Sequence, residues 1–362
     1  MRYLRPCDPH VHLRGGEYPE HDFATWAYSD ADAVGLTAIC AMPNCKPFLT
    51  TVENVQARNK EINLIKNGIF PASGLSVFTH LGLTTDMDLN RKVLPYILKN
   101  EDKVVADKVF YCHSTGNMGI LDPELQKAIW KLKAELGYTG VSIGHFEDAT
   151  FFTGKFDPAD PVSHSRYQNE DAETESVETQ LRNATDAGFR GTFYVAHVSS
   201  PMTVEFLHKA RSFTPFKIVM EATFHHMFLD TSDYKIHGNL VKMNPPLREM
   251  SGIKMSPLPT ILNDVLNGLI DVIGTDHAPH PIERKRDEKS PASGIPALPF
   301  WPRGIELLQK AGISQSRLDD VTFHNANNIF KLGLQSTQVE TDYKKTLWTK
   351  YGYNPFSRYD NE

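Results

Sequence analysis

The chain has 362 residues, 38 lysines and arginines against 44 aspartates and glutamates, a formal charge of -6, and is 40% hydrophobic and 23% charged. That is the composition of a globular protein long enough to bury a large core, as one large α/β domain or two smaller ones. A pI near 6.2 gives no footing for a nucleic-acid partner, no run reaches membrane-span length, and no basic segment followed by an apolar one opens the chain, so a cytoplasmic protein is expected.

In chain order, short apolar runs rich in β-branched residues alternate with helix-length segments. The strands read from the sequence end at residues 10–14, 38–44, 76–80, 104–111, 141–145, 193–197, 218–223 and 272–276. Helices are legible at 123–136, 171–187 and 201–211, with Asp122 and Ser200 as N-caps ahead of Pro123 and Pro201. Eight strands alternating with helices predict an α/β fold, a (β/α)8 TIM barrel. Two long connections, 148–165 and 279–302, read as active-site loops. Residues 1–334 then form a single barrel domain, and the polar stretch 335–362 is an extension packed on its exterior. Cys7, Cys40, Cys45 and Cys112 form no CxxC pair and receive no role.

The chemically loaded residues fall at the ends of these strands. Asp8-Pro9-His10-Val11-His12-Leu13-Arg14 sets His10, His12 and Arg14 on one face of a strand, because alternate residues point the same way. His145, His197 and Asp276 close three later strands, and in a barrel all of these face one mouth. One such histidine is more often structural, but four with an aspartate at strand ends make a divalent-metal site. Imidazole and carboxylate ligands without thiolate fit zinc, with manganese, cobalt or iron as alternatives. Five ligands exceed what one tetrahedral ion takes, so two metals sharing a water or hydroxide are expected. Lys108, near the end of the fourth strand, is the candidate for a further bridge, since CO2 added to its amine gives an anionic carbamate with two oxygens; the competing reading pairs it with a neighbouring carboxylate. The Arg14 fork suits a substrate carboxylate.

In this order the motifs resemble those of the dihydroorotases of the amidohydrolase superfamily, from about His10 to Pro299. The family's H-x-H-x-R is present as His10, His12 and Arg14, its M-P-N as Met42-Pro43-Asn44, and its strand-four lysine as Lys108. Its later histidines appear as His145 and His197, and its D-x-A-P-H as Asp276-His277-Ala278-Pro279-His280. Asn244-Pro245-Pro246-Leu247-Arg248 and Ala292-Ser293-Gly294-Ile295-Pro296 also resemble family segments.

The resemblance implies two Zn2+ ions, one held by His10, His12 and Asp276 and the other by His145 and His197, bridged by N6-carboxylysine at Lys108 and a hydroxide. It implies Arg14, Asn44 and His280 on the substrate carboxylate, the backbone of Ala292 on the substrate, and Asp276 as the catalytic base that passes a proton to the ring nitrogen. The implied reaction is the reversible cyclisation of N-carbamoyl-L-aspartate to L-dihydroorotate in pyrimidine biosynthesis. Its partners are then a small molecule and a second copy of the chain in a homodimer, with neither nucleic acid nor membrane.

Three departures from the family pattern matter. Asp8 has almost nothing before it, so little or no accessory β-sandwich subdomain is expected. Residues 111–117 resemble the substrate-covering loop of compact dihydroorotases, with Thr115 matching a loop threonine and Gly116 replacing a second. Residues 222–226 and 244–248 look more like the longer, sandwich-bearing branch, with His225 and His226 expected behind the site rather than in it. Two alternatives stand beside the dihydroorotase reading: a dihydropyrimidinase or allantoinase, neither of whose substrates demands the Arg14 and His280 clamp, and a catalytically silent subunit that binds other enzymes.

Overall fold

A computed structural model describes residues 2–114, 116–248 and 260–360. Its strands in chain order are β1 (Arg2–Leu4), β2 (Cys7–Val11), β3 (Ala38–Ala41), β4 (Ser76–Gly82), β5 (Val104–Phe110), β6 (Val141–His145), β7 (Thr192–Val195), β8 (Lys217–Thr223), β9 (Val272–Gly274) and β10 (Gln338–Glu340). Strands β2 to β9 pair in parallel in sequence order, with helices on every crossover. Parallel strands need such crossovers, and eight of them curl the sheet towards closure. The ends meet where Val11 bridges His277 and the Asp8 carboxylate accepts from the Thr275 amide at 3.1 Å and its hydroxyl at 2.6 Å. The barrel read from the sequence is therefore present, and each predicted run overlaps one of its strands.

Strand alternation decides which side chains reach the mouth. On β5, Lys108 and Phe110 point inward, whereas Asp107 points outward to Lys133 on the helix Pro123–Glu135, 2.8 Å away. Below the mouth, small and branched residues such as Cys7, Ala38, Ala106 and Val219 pack against Phe323 and Phe330 from the segment that follows β9. The barrel is thus a filled core with one open face.

The helix Pro123–Glu135 starts as predicted, Asp122 accepting from the Glu124 amide at 2.9 Å. Ser200 does not cap the helix Pro201–Ala210 with its side chain. Instead its amide donates to Glu173 at 3.0 Å, which binds the helix Glu170–Ala187 to this corner. The helix positions follow the hydrophobic period; the Ser200 hydroxyl points to Glu170 at 3.4 Å instead of to the amides of the helix.

Outside the barrel, β1 and β10 pair antiparallel and join the two ends of the chain. Among the described residues this two-stranded sheet is all that stands where a sandwich was expected to be small or missing. Beyond it, Phe356 stacks on Phe300 with centroids 3.9 Å apart, and Lys350 reaches Asp30 at 2.5 Å. No helix among the described residues is long and apolar enough to cross a membrane.

Candidate active site

The C-terminal ends of the barrel strands converge on one pocket, which His10, His12, Arg14, Asn44, Lys108, His145, His197 and Asp276 all line. His10 Nε2 lies 3.2 Å and His12 Nε2 2.9 Å from Oδ1 of Asp276. The second nitrogen of each ring is engaged behind: Nδ1 of His10 donates to Glu221 Oε1 at 2.7 Å and Nδ1 of His12 to Asn44 Oδ1 at 2.6 Å. These partners select the tautomer that leaves both Nε2 atoms as ligands. Among the described residues, His10, His12 and Asp276 form the one group of three whose donor atoms lie within 4.8 Å of one another.

Across the pocket, Nδ1 of His145 and Nε2 of His197 face each other at 2.9 Å. The other nitrogen of His145 lies 3.2 Å from Glu147, which Arg248 approaches at 3.2 Å from behind. Lys108 Nζ is fully buried with no hydrogen-bond partner, and among the described residues no carboxylate pairs with it.

The buried ionisable groups of the pocket shift one another. Burial pulls His10 down, but Glu221 and Asp276 outweigh it and push the imidazole up to about 9. Burial raises the Asp276 carboxyl, yet His10 and His12 together hold it well below the ordinary carboxylate range. Burial lowers Lys108 to about 8 against the opposing pull of Glu221 and Asp276.

Three residues here have a backbone that side-chain-bearing residues rarely adopt: Arg14 at φ 57°, His197 at φ 39° and Asp276 at φ 46°. Each such conformation costs about 1–3 kcal/mol and persists only where packing enforces it. All three lie two or three residues past the end of a strand, in the turns at the barrel mouth, and their side chains line the pocket.

Arg14 is 1% exposed. Its Nε donates to the Pro279 carbonyl at 3.0 Å and its Nη2 lies 2.8 Å from Nε2 of His280, while Nη1 is buried without a partner. His280 does not line the pocket: it stands behind Arg14, between Tyr18 and the Ser293 carbonyl, each 2.7 Å away. Ala292 is also set back, its carbonyl accepting from Lys285 at 2.9 Å, and Ser293 and Gly294 line the pocket next to it. Thr115 lies outside the described residues; Ser114 beside it lines the pocket. The long connection 148–165 contributes to a neighbouring cavity of about 370 Å³ rather than to this pocket.

Sequence reading missed Glu221, Glu147 and Tyr18. A carboxylate in the apolar run Ile218-Val219-Met220-Glu221-Ala222 was the available signal for the first, since an unpaired acid on a buried strand is costly. His226 is structural, with its ring nitrogens 2.9 Å from the Thr223 hydroxyl and 3.2 Å from the Pro245 carbonyl. His225 is fully buried outside the pocket lining.

No protein-family model matches the chain. It is 30% identical over 332 residues to the dihydroorotase of Halobacterium salinarum, an alignment covering 90% of this chain and 71% of that protein. To the dihydroorotase of Methanosphaera stadtmanae it is 28% identical over 382 residues, covering 98% and 80%. Among solved structures it is similar to the L-hydantoinase (dihydropyrimidinase) of Arthrobacter aurescens, with a TM-score of 0.73 at 24% identity over 92% of this chain and 72% of that one. It is also similar to the Saccharomyces cerevisiae dihydroorotase in complex with 5-fluoroorotic acid, with a TM-score of 0.69 at 18% identity over 91% and 85%. The two structures share the barrel. With the strand-end histidines, lysine and aspartate gathered in one pocket, the similarity in sequence means that the chain belongs to the dihydroorotase family of hydrolases in the amidohydrolase superfamily.

Proposed function

We propose that the chain interconverts L-dihydroorotate and N-carbamoyl-L-aspartate, with the pocket at the barrel mouth as its active site. The observation that carries this reading is Arg14: a buried guanidinium with one nitrogen unpartnered, lining the pocket that holds the ligand cluster. A cation so placed is a costly feature unless an anionic substrate completes it. A neutral dihydropyrimidine or hydantoin offers Arg14 no such partner.

The donors suit two divalent metals. His10, His12 and Asp276 would hold one and His145 and His197 the other, and Lys108, were its orphaned amine carboxylated, would add an anionic ligand. Bound there, the metals supply a strong nucleophile at neutral pH and polarise the amide carbonyl. The chain's own groups do the rest. Arg14 orients the ring through the substrate carboxylate, with Asn44 beside it. Asp276, kept ionised, takes a proton from the attacking water and returns it to the departing ring nitrogen; in the cyclising direction the same proton travels back. His280 and Ala292 support this binding from behind, through Arg14 and the Ser293–Gly294 lining. A cytoplasmic homodimer, with the chain divided at 1–334 and 335–362, belongs to the same reading.

The test is turnover of dihydroorotate, dihydrouracil and allantoin by the purified chain, with metal counted on the same sample. Activity confined to dihydroorotate with about two metals per chain is the expected result. Metal without turnover of any of the three would replace this reading with that of a silent subunit.

A further inference from the structure

Lys285 is 0% exposed and sits at the end of a four-residue helix, Ile282–Lys285, outside the pocket lining. Its ammonium meets three backbone carbonyls, those of Lys242 at 2.8 Å, Ala292 at 2.9 Å and Gly294 at 2.9 Å, and no carboxylate among the described residues pairs with it. Three acceptors at this range need three N–H donors, which a lysine has only when charged. Burying a charge without a counter-ion costs several kcal/mol, so the loop is arranged around the cation rather than the reverse.

The loop so held faces the substrate position. Ser293 and Gly294 line the pocket, and the two carbonyls flanking Ser293 are those that Lys285 grips. Gly294 also donates to the Lys242 carbonyl at 2.9 Å. At φ 133° a side chain there would come within 2.4 Å of the Ala278 carbonyl, so the loop is pressed against the pocket wall as well as pulled from behind. Lys242 adds a second cation at the same place, its Nζ bonded to the Ser293 hydroxyl and likewise without a carboxylate partner among the described residues. Burial first, then the charges of Lys242 and Arg14, lower Lys285 well below its ordinary range, so Lys285 lies in the field of both cations and its ammonium rests on the three carbonyls.

We propose that Lys285 is a positioning and specificity-determining residue: its ammonium clasps the loop 292–294 in place and, with Lys242, gives the pocket the positive potential that selects an anionic over a neutral cyclic ureide. This rests on the reading of the pocket as a cyclic-amide site with Arg14 on the substrate carboxylate. Arg14 contacts the anion, while Lys285 and Lys242 set its surroundings and the shape of the adjoining wall.

The experiment measures dissociation constants of orotate and uracil, planar rings with and without a carboxylate, on the metal-loaded full-length chain and on Lys285→Met and Lys242→Met. The wild type is expected to prefer orotate. Lys285→Met should weaken orotate by about tenfold or more and uracil by less than about twofold, with Lys242→Met weakening orotate alone by about threefold. Equal losses for both ligands would show a merely structural clasp and overturn the proposal, as would no loss at all. Should Lys285→Met fail to fold, Lys242→Met decides by the same comparison. A wild-type chain with no preference for orotate would overturn the substrate reading and this inference together; a preference that survives both substitutions would overturn the inference alone.

Discussion

Glu221 Oε1 accepts a hydrogen bond from Nδ1 of His10 at 2.7 Å, across 211 positions of sequence, and the same carboxylate receives the Tyr194 hydroxyl at 2.7 Å and the His197 amide at 2.9 Å. One buried acid on β8 thus orients a histidine of each candidate metal site, His10 through its ring and His197 through its backbone. Glu221→Gln keeps the shape but cannot accept as strongly from His10. Metal affinity should fall about 10- to 100-fold with little change in fold, read by competition with a chelator. Wild-type affinity in the variant would show that the contact does not tune the site.

Asp276→Asn should reduce turnover by about a thousandfold or more while the far-ultraviolet circular dichroism is unchanged. The amide cannot take a proton, and it also offers His10 and His12 a weaker partner. Retention of full activity would remove Asp276 as the base.

Much of this site was legible because its residues sit where apolar runs end. His10, His12, His145, His197 and Asp276 each sit at or just past the end of a strand, and strand ends are what a barrel brings together. Lys108 was legible by its oddity within Val104–Phe110. The supporting acids were not, since Glu147 and Glu221 act across long sequence separations that no local pattern encodes. His280 and Ala292 were placed on the substrate by resemblance; the structure sets both one layer back, behind Arg14 and Ser293. The pairing of β1 with β10 also escaped notice, because three-residue strands give too short a run for alternation to register.

Lys133 and Asp107 are both fully buried and 2.8 Å apart, with the Ser142 hydroxyl 2.9 Å from the same carboxylate oxygen. Lys133→Met leaves Asp107 as an uncompensated buried charge and should cost about 3–5 kcal/mol in urea unfolding. Replacing Asp107 with leucine in the same background should recover much of that loss. A single variant as stable as the wild type would contradict the pairing.

Asp30, buried beneath Lys350 and Tyr351, is raised from 3.8 to about 6, burial outweighing the pull of both partners. The folded chain therefore holds this proton to higher pH than the unfolded chain does. Asp30 contributes its full stabilisation below about pH 4 and loses it as pH rises through about 6. Unfolding midpoints across that window should slope less steeply downward with rising pH in Asp30→Asn, and an unchanged slope would assign the dependence elsewhere.

The measurement closest to the central claim is the ratio of kcat/KM for dihydroorotate to that for dihydrouracil, in the wild type and in Arg14→Met. Arg14 as the reader of the substrate carboxylate predicts a wild-type ratio of at least about 10⁴, falling about 100-fold in the variant, chiefly through KM for dihydroorotate. Comparable rates on both substrates in the wild type, or a ratio that Arg14→Met leaves untouched, would contradict it.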